Sequence, residues 1–374
     1  YQVAFMAPTE ILTNQHYTLA NKIFNESNIK TDFLTGKTTN PERKIKINAL
    51  KENNINIIFG THALFQKKTE FGNLGLIIID EQHKFGVKQR MELSKKGGEN
   101  CDILVMSATP IPRTLIMTFY GDMDVSKLTE KPSHRKEIIS LSKPEIKINE
   151  VIKFIKKEIT NKNQIFWVCP LIDESKKLDY EAAVKKFEYL NKIFTGKVGL
   201  IHGSLKNEQK ETVLKNFLDK KIQILVATTV IEVGIDFPNA NVIVIENSNK
   251  FGLSQLHQLR GRVGRSNMQG TCILLYKKNL SENAKKRINI LKSTNDGFKI
   301  ADEDMKIRGF GDILGYKQSG IKEFKLADPI HHEKLFKMAE MNIKEIENKE
   351  QNLKKYEPLI KLYDKAEIIN QIDS

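Results

Sequence analysis

The sequence predicts an α/β protein with two doubly wound parallel sheets in tandem, followed by a helical carboxyl-terminal region. Three observations carry this. Short apolar runs ending in small, hydroxylated or charged residues alternate with longer stretches of helical spacing. The alternation occurs twice, on either side of the polar, proline-containing stretch Lys131-Pro132-Ser133-His134-Arg135. From Ser281 the strand signal ceases and helical stretches continue to the end.

The first series opens with Val3-Ala4-Phe5-Met6-Ala7, an apolar strand stopping at Pro8-Thr9-Glu10, after which Ile11, Leu12, Tyr17 and Leu19 mark an amphipathic helix. Because residue 1 falls inside a strand with no leader and no methionine, the chain is expected to be the interior of a longer protein. A strand near Thr31 to Leu34, a helix from about Pro41 to Glu52 and a strand at Ile55 to Phe59 follow, the last ending in Gly60-Thr61-His62. Leu76-Ile77-Ile78-Ile79 reads as a central strand buried on both faces. Asp102 to Met106 ends in Ser107-Ala108-Thr109. The second series is Gln164 to Cys169, Val198 to Ile201, Ile222 to Ala227, Val242 to Glu246 and Cys272 to Tyr276, with the last expected to complete the sheet. The expected domains are 1–130 and 141–280, with a linker at 131–140, a glycine-punctuated hairpin and loop at 281–325 and a lysine-rich helical tail at 326–374.

With 374 residues, 40% of them apolar, the chain can build two or three ordinary cores. Its apolar runs are strand-sized, far short of the roughly 20 residues that span a bilayer, so a soluble, cytoplasmic protein without a membrane segment is expected. Cys101, Cys169 and Cys272 lie far apart, which implies neither a zinc site nor a disulfide framework. The formal charge of +14 suggests a polyanionic partner, though lysine is abundant throughout.

Asp80-Glu81 follows the central strand at its carboxyl end, the edge where open α/β sheets bind ligands. Such a pair is the Walker B arrangement, in which one carboxylate holds Mg²⁺ and the other orients an attacking water; a solvated acidic turn is the alternative. Gly36-Lys37-Thr38 fails as a phosphate loop: Thr31 stands where glycine is needed, and Pro41 enters the first turn of the next helix, which should offer free N–H groups. It reads as a surface turn, and the 374 residues contain no recognisable phosphate loop. Ser107-Ala108-Thr109 taken alone fits a helix cap. Gln255 to Arg265 places Arg260, Arg262 and Arg265 within six residues with Gly261 and Gly264 between them, a pattern expected to present guanidinium groups to a triphosphate.

In their order along the chain, Asp80-Glu81-Gln82-His83, Ser107-Ala108-Thr109 and Gln258 to Arg265 resemble motifs II, III and VI of superfamily two helicases. Pro8-Thr9-Glu10 resembles motif Ia, Gly60-Thr61-His62 motif Ib, and Ala227-Thr228-Thr229 through Gly234-Ile235-Asp236 motif V. More narrowly, Ala7 to Leu12, Asp80 to Val87, Thr109 to Leu115 and Leu256 to Arg265 are similar to the RecG family of branch-migrating DNA helicases. The transcription-repair coupling translocases share the Ile111-Pro112-Arg113-Thr114 context, but Glu81-Gln82-His83 favours RecG. A non-enzymatic DNA-binding remnant is a further alternative, because the family's wedge domain and Walker A loop are not found in this sequence.

The resemblance implies two RecA-like motor domains, ATP and Mg²⁺ as cofactors, and branched double-stranded DNA as partner of a monomer. It implies that Asp80 binds Mg²⁺ through water, Glu81 positions the attacking water, and Gln258, Arg262 and Arg265 meet the γ-phosphate. Gly234 and Asp236 would lie near the ribose. His83, Ser107 and Thr109 would couple nucleotide state to DNA grip, while Pro8, Thr9, Gly60, Thr61, Thr228 and Thr229 would contact DNA. Arg308 and Gln318 occupy the functional positions of a translocation loop, in which Phe310 replaces the proline of many relatives.

Overall fold

The computed structural model describes residues 1–66, 68–81, 96–97, 101–108, 124–130, 132–133, 135–170, 176–228, 237–265, 267–308, 332–349 and 358. The chain divides into two compact units, Tyr1–Pro110 with Thr129–Asp304, and Ile111–Leu128 with Met305–Ser374. The first unit holds two parallel sheets, as the sequence pattern requires, each forming a lobe with its own helices.

In the first lobe, β1 (Gln2–Met6), β2 (Thr31–Leu34), β3 (Ile57–Gly60), β4 (Leu74–Ile79) and β5 (Asp102–Val105) form a sheet of order β2-β3-β1-β4-β5. Helix α1 (Glu10–Phe24) follows β1, and α2 (Asn40–Lys51) precedes β3. Ala4, Met6, Ile58, Ile77 and Ile79 point to one face and pack with Leu34, Leu50 and Leu64. Strand β4 lies between β1 and β5. Its burial is one-sided, however: Ile77 and Ile79 are buried, whereas Leu76 and Ile78 are only half-buried. Gly36-Lys37-Thr38 forms an exposed turn, closed by the Thr35 N–H donating to Thr38 Oγ1 at 3.0 Å.

The second lobe is built from β6 (Ile139–Pro144), β7 (Gln164–Val168), β8 (Val198–Ile201), β9 (Ile224–Ala227), β10 (Ala240–Ile245) and β11 (Thr271–Tyr276), in the order β6-β11-β10-β7-β9-β8. Cys272 to Tyr276 therefore does not complete the sheet. Strand β6 pairs outside it, in parallel, beginning within the stretch expected to be linker. Its sequence Ile-Ser-Leu-Ser-Lys-Pro lacks the apolar run of a central strand because it is an edge strand, where a proline is also tolerated. Ile139 is 49% and Leu141 40% exposed. Helix α3 (Ile148–Thr160) buries Val151, Ile152, Ile155 and Ile159, a helical stripe, against β7 and its neighbours. Helices α4 (Lys176–Ile193) and α5 (Asn207–Leu218) flank β8, and α6 (Leu253–Arg260) lies between β10 and β11 in the chain. Then come α7 (Glu282–Ser293), α8 (Gly297–Arg308) and α9 (Glu333–Lys349). Among the described residues no helix is long and apolar enough to cross a membrane.

Candidate nucleotide-binding site

The ladder of the first sheet brings several motif residues to one edge. The Asp80 N–H donates to the Met6 carbonyl at 2.9 Å, the Ala7 N–H to Gly60 at 2.9 Å and the Met106 N–H to Ile79 at 2.8 Å. Pro8-Thr9, Gly60-Thr61, Asp80-Glu81 and Ser107 thus follow the carboxyl ends of neighbouring strands, the ligand edge of an open α/β sheet. Thr9 caps α1, its hydroxyl accepting from the Leu12 N–H at 3.3 Å. Gly60 is dictated by packing: a Cβ there would lie 2.6 Å from Leu64 Cγ and 2.7 Å from the Leu34 carbonyl. Thr61 is buried beside it.

Asp80 is held at both carboxylate oxygens. Oδ1 accepts the Glu81 backbone N–H at 2.9 Å and Oδ2 accepts from His16 Nε2 at 3.0 Å. Glu81 adopts a left-handed φ of +53°. That conformation is uncommon for a side-chain-bearing residue. The His16 side chain, on α1, is 28% exposed and that of Asp80 20%. Sequence reasoning missed His16. The available signal was its spacing, two helical turns beyond the Thr9 cap on a helix that leaves the adjacent strand.

The second lobe corrects the expectation of three presented arginines. Arg260 is 2% exposed, and its Nη1 donates to the carbonyls of Leu291 at 2.7 Å and Thr294 at 2.8 Å. It clamps the end of α7, and burial lowers its guanidinium pKa. Arg262 and Arg265 are half-buried, as is Gln258. The two glycines also differ. Gly264 has φ +69° and abuts Gly270, whereas Gly261 is right-handed with room for a Cβ. Only the first needs the freedom that glycine brings. The bend at Gly264 precedes Arg265, whose Nε donates back to the Gly261 carbonyl at 3.3 Å. Arg135, in the interlobe stretch, donates from Nε to the Gly264 carbonyl at 3.3 Å. Thr228 is buried at the end of β9, its N–H donating to Ile201 at 3.3 Å. His83, Thr109, Thr229, Gly234, Asp236 and Gln318 lie outside the described residues, as does the side chain of Arg308.

The donor chemistry at Asp80 fits a hard divalent cation. Mg²⁺ keeps several waters and takes one or two carboxylates plus phosphate oxygens, so it does not need an all-protein cage. Among the described residues no group of three or more His, Cys, Asp or Glu is placed to form one.

Two parallel α/β lobes, one with an acidic pair at its ligand edge and the other with an arginine-bearing helix end, define the tandem RecA-like core of a superfamily two helicase. Residues 1–118 match the DEAD/DEAH box helicase family, 146–267 the helicase conserved C-terminal domain, and 294–368 the C-terminal part of domain 3 of the ATP-dependent DNA helicase RecG. ATP-dependent DNA helicase RecG of Thermotoga maritima is 47% identical over 349 residues, 93% of this chain and 44% of its own length. That of Aquifex aeolicus is 45% identical over 97% of this chain and 46% of its own length. The structure of RecG bound to a three-way DNA junction superposes with TM-score 0.71 at 44% identity, covering 90% of this chain and 43% of that one. A leucine-to-valine variant of Saccharomyces cerevisiae Dbp5 bound to RNA and ADP BeF3 shares the fold alone, with TM-score 0.57, 17% identity and coverage of 82% of this chain and 81% of its own. The chain belongs to the RecG family, and it spans about half the length of the curated relatives it matches.

Proposed function

We propose that this chain is the motor of an ATP-dependent double-stranded DNA translocase that regresses stalled replication forks and branch-migrates recombination junctions, working as a cytoplasmic monomer. The observation that carries the reading is the Asp80-Glu81 pair at the ligand edge of the first sheet, in a chain whose second lobe carries the half-buried Arg262 and Arg265 after α6. Asp80 would hold Mg²⁺ through water, and Mg²⁺ would neutralise phosphate charge. Glu81 would orient the attacking water, with Gln258, Arg262 and Arg265 facing the γ-phosphate. Gly234 and Asp236 are assigned to the ribose, and His83, Ser107 and Thr109 to coupling. Pro8, Thr9, Gly60, Thr61, Thr228 and Thr229 are assigned to DNA phosphates, which position the duplex without reading its sequence. Arg308 and Gln318 are assigned to the element that levers DNA.

The test is Arg262→Ala or Arg265→Ala in the complete protein. An arginine acting on transition-state charge should cost on the order of 10³ in kcat while leaving junction binding nearly intact. Weakened junction binding with kcat preserved would make these residues a DNA clamp instead.

A further inference from the structure

Asp80 is the carboxylate on which the motor reading depends, yet the loop that carries it cannot by itself fix the carboxylate plane. Glu81 N–H holds only Oδ1, at 2.9 Å. The second oxygen is held from another element: His16 Nε2, on α1, reaches Oδ2 at 3.0 Å. Since a carboxylate accepts, Nε2 must carry the proton. The imidazole is itself fixed. Its ring packs on Phe5 of β1 at 4.6 Å between centroids, and Phe5 packs on Phe59 of β3 at 5.2 Å. With one donor on each oxygen, the carboxylate retains lone pairs for metal-bound water.

The other lobe shows what a different partner does at the same place. Glu246 follows β10 as Asp80 follows β4, and its N–H donates to Val168 of β7 at 2.9 Å. Its partner is Lys186 on α4, the helix after β7, with Nζ 2.6 Å from Oε1 and the two side chains 17% and 13% exposed. A full cation so close would neutralise a carboxylate and compete with a metal ion for it. An imidazole can hold the carboxylate without doing so.

We infer that His16 is a positioning residue for the Asp80 carboxylate, fixing its plane through Oδ2 so that it presents lone pairs to the water shell of a divalent cation. The inference rests on reading Asp80 as the cation-holding group. Hydrogen-bond partners of metal-ligating groups typically contribute about 10–100-fold in metal affinity.

The experiment is Mn²⁺ titration of the complete protein with a non-hydrolysable ATP analogue, followed by electron paramagnetic resonance, alongside thermal melting. His16→Phe should weaken Mn²⁺ binding about tenfold or more with an unchanged melting temperature, and His16→Gln, which restores an N–H donor, should recover most of it. In the wild-type protein, ¹⁵N-correlated imidazole spectra should show His16 protonated at Nε2, with a resonance that moves in Asp80→Ala. Unchanged or tighter Mn²⁺ binding in a folded His16→Phe protein would overturn the inference, as would failure of His16→Gln to rescue. If His16→Phe does not fold, the Gln variant and the imidazole spectrum decide alone: an Nε2 signal indifferent to Asp80→Ala overturns the inference. Should Asp80→Ala leave Mn²⁺ binding intact, the reading of Asp80 itself falls, an outcome distinct from failure at His16.

Discussion

The two lobes are built on one plan and differ where a carboxylate stands at the strand end. Strand for strand, β2-β3-β1-β4-β5 corresponds to β8-β9-β7-β10-β11. The central strands align from Gln2 to Pro8 with Gln164 to Pro170, which sets Phe5 against Trp167. Details repeat as well. The N–H groups of Asn56 and Ile57 share the Lys30 carbonyl, as those of Gln223 and Ile224 share Lys197. Glu81 and Asn247, each following the strand-end carboxylate, are both left-handed, with φ +53° and +45°. Onto this shared frame the first lobe places Asp80 with a histidine, and the second places Glu246 with a lysine. An aromatic ring supports each partner, Phe5 beneath His16 and Trp167 beneath Lys186 at 5.3 Å. The same backbone geometry thus yields an acid available for ligands in one lobe and a neutralised, structural ion pair in the other.

The largest expected effect comes from removing the lysine. Lys186→Met leaves the half-buried Glu246 without its cation, and the cost should approach the roughly 3–5 kcal/mol of breaking a buried pair. Replacing both members, Lys186→Met with Glu246→Met, should recover most of that loss, because the desolvation penalty disappears with the charge. The protein has one tryptophan, and it is fully buried in the second lobe, so urea unfolding followed by Trp167 fluorescence reports on this lobe directly. A single-variant cost below about 1 kcal/mol would mean the pair behaves as a surface contact, and the contrast with Asp80 would lose its basis.

The fold was readable because central strands of parallel sheets are apolar runs, buried on both faces in β7, β9 and β10 and on one face in β4, where the run is apolar all the same. Edge strand β6 escaped because half of it faces solvent and its sequence alternates. The fate of Arg260 was encoded and overlooked: Leu253, Leu256 and Leu259 set the inward phase of α6, and Arg260, one turn beyond Leu256, continues it. What it would clamp was not readable, since the carbonyls of Leu291 and Thr294 lie some thirty residues away along the chain. The His16–Asp80 pairing is likewise a product of helix–strand packing, as it joins residues separated by 64 positions. Gly261 and Gly264 look alike in sequence, and only the backbone angle separates them.

A second, smaller difference lies at the opposite ends of the central strands. Gln2 donates from Nε2 to the carbonyls of Leu50 and Ile55, both at 2.9 Å, and its Oε1 accepts the N–H groups of Gly72 at 3.0 Å and Asn73 at 3.1 Å. Gln164 repeats the donor half, to Phe217 at 2.5 Å and Ile222 at 2.9 Å. Pro238 occupies the place of Gly72 and has no N–H to offer. Leucine at either position strands buried groups at about 1–3 kcal/mol each before relaxation. Gln2→Leu should therefore cost about 2–4 kcal/mol in the first lobe, and Gln164→Leu about 1–3 kcal/mol in the second. Hydrogen exchange at the β3 and β9 amides measures both in one chain. Equal losses would show that the acceptor half of the Gln2 network adds nothing.

The smallest effect concerns thiols and alkaline pH. Cys169 occupies the place of Ala7, and its Sγ–H donates to Glu246 Oε2 at 3.7 Å. Burial, reinforced by the Glu246 charge, raises its pKa well above the usual range. Complete burial pushes Cys272 up to about 12, although Arg260 opposes the rise. Both thiols belong to the second lobe. In the unfolded chain a thiol ionises at about pH 8.5, while in the folded lobe these two remain protonated. Below about pH 8.5 their contribution to stability is therefore fully present. Above it the folded state binds more protons than the unfolded one, so stability falls as pH rises towards the folded pKa. The slope approaches about 1.4 kcal/mol per pH unit for each thiol. Urea midpoints by Trp167 fluorescence between about pH 7.5 and 10 should decline, and Cys169→Ala with Cys272→Ala should flatten that decline without steepening it at neutral pH. A decline of undiminished slope in the double variant would place the alkaline sensitivity in groups of the lobe other than these two thiols.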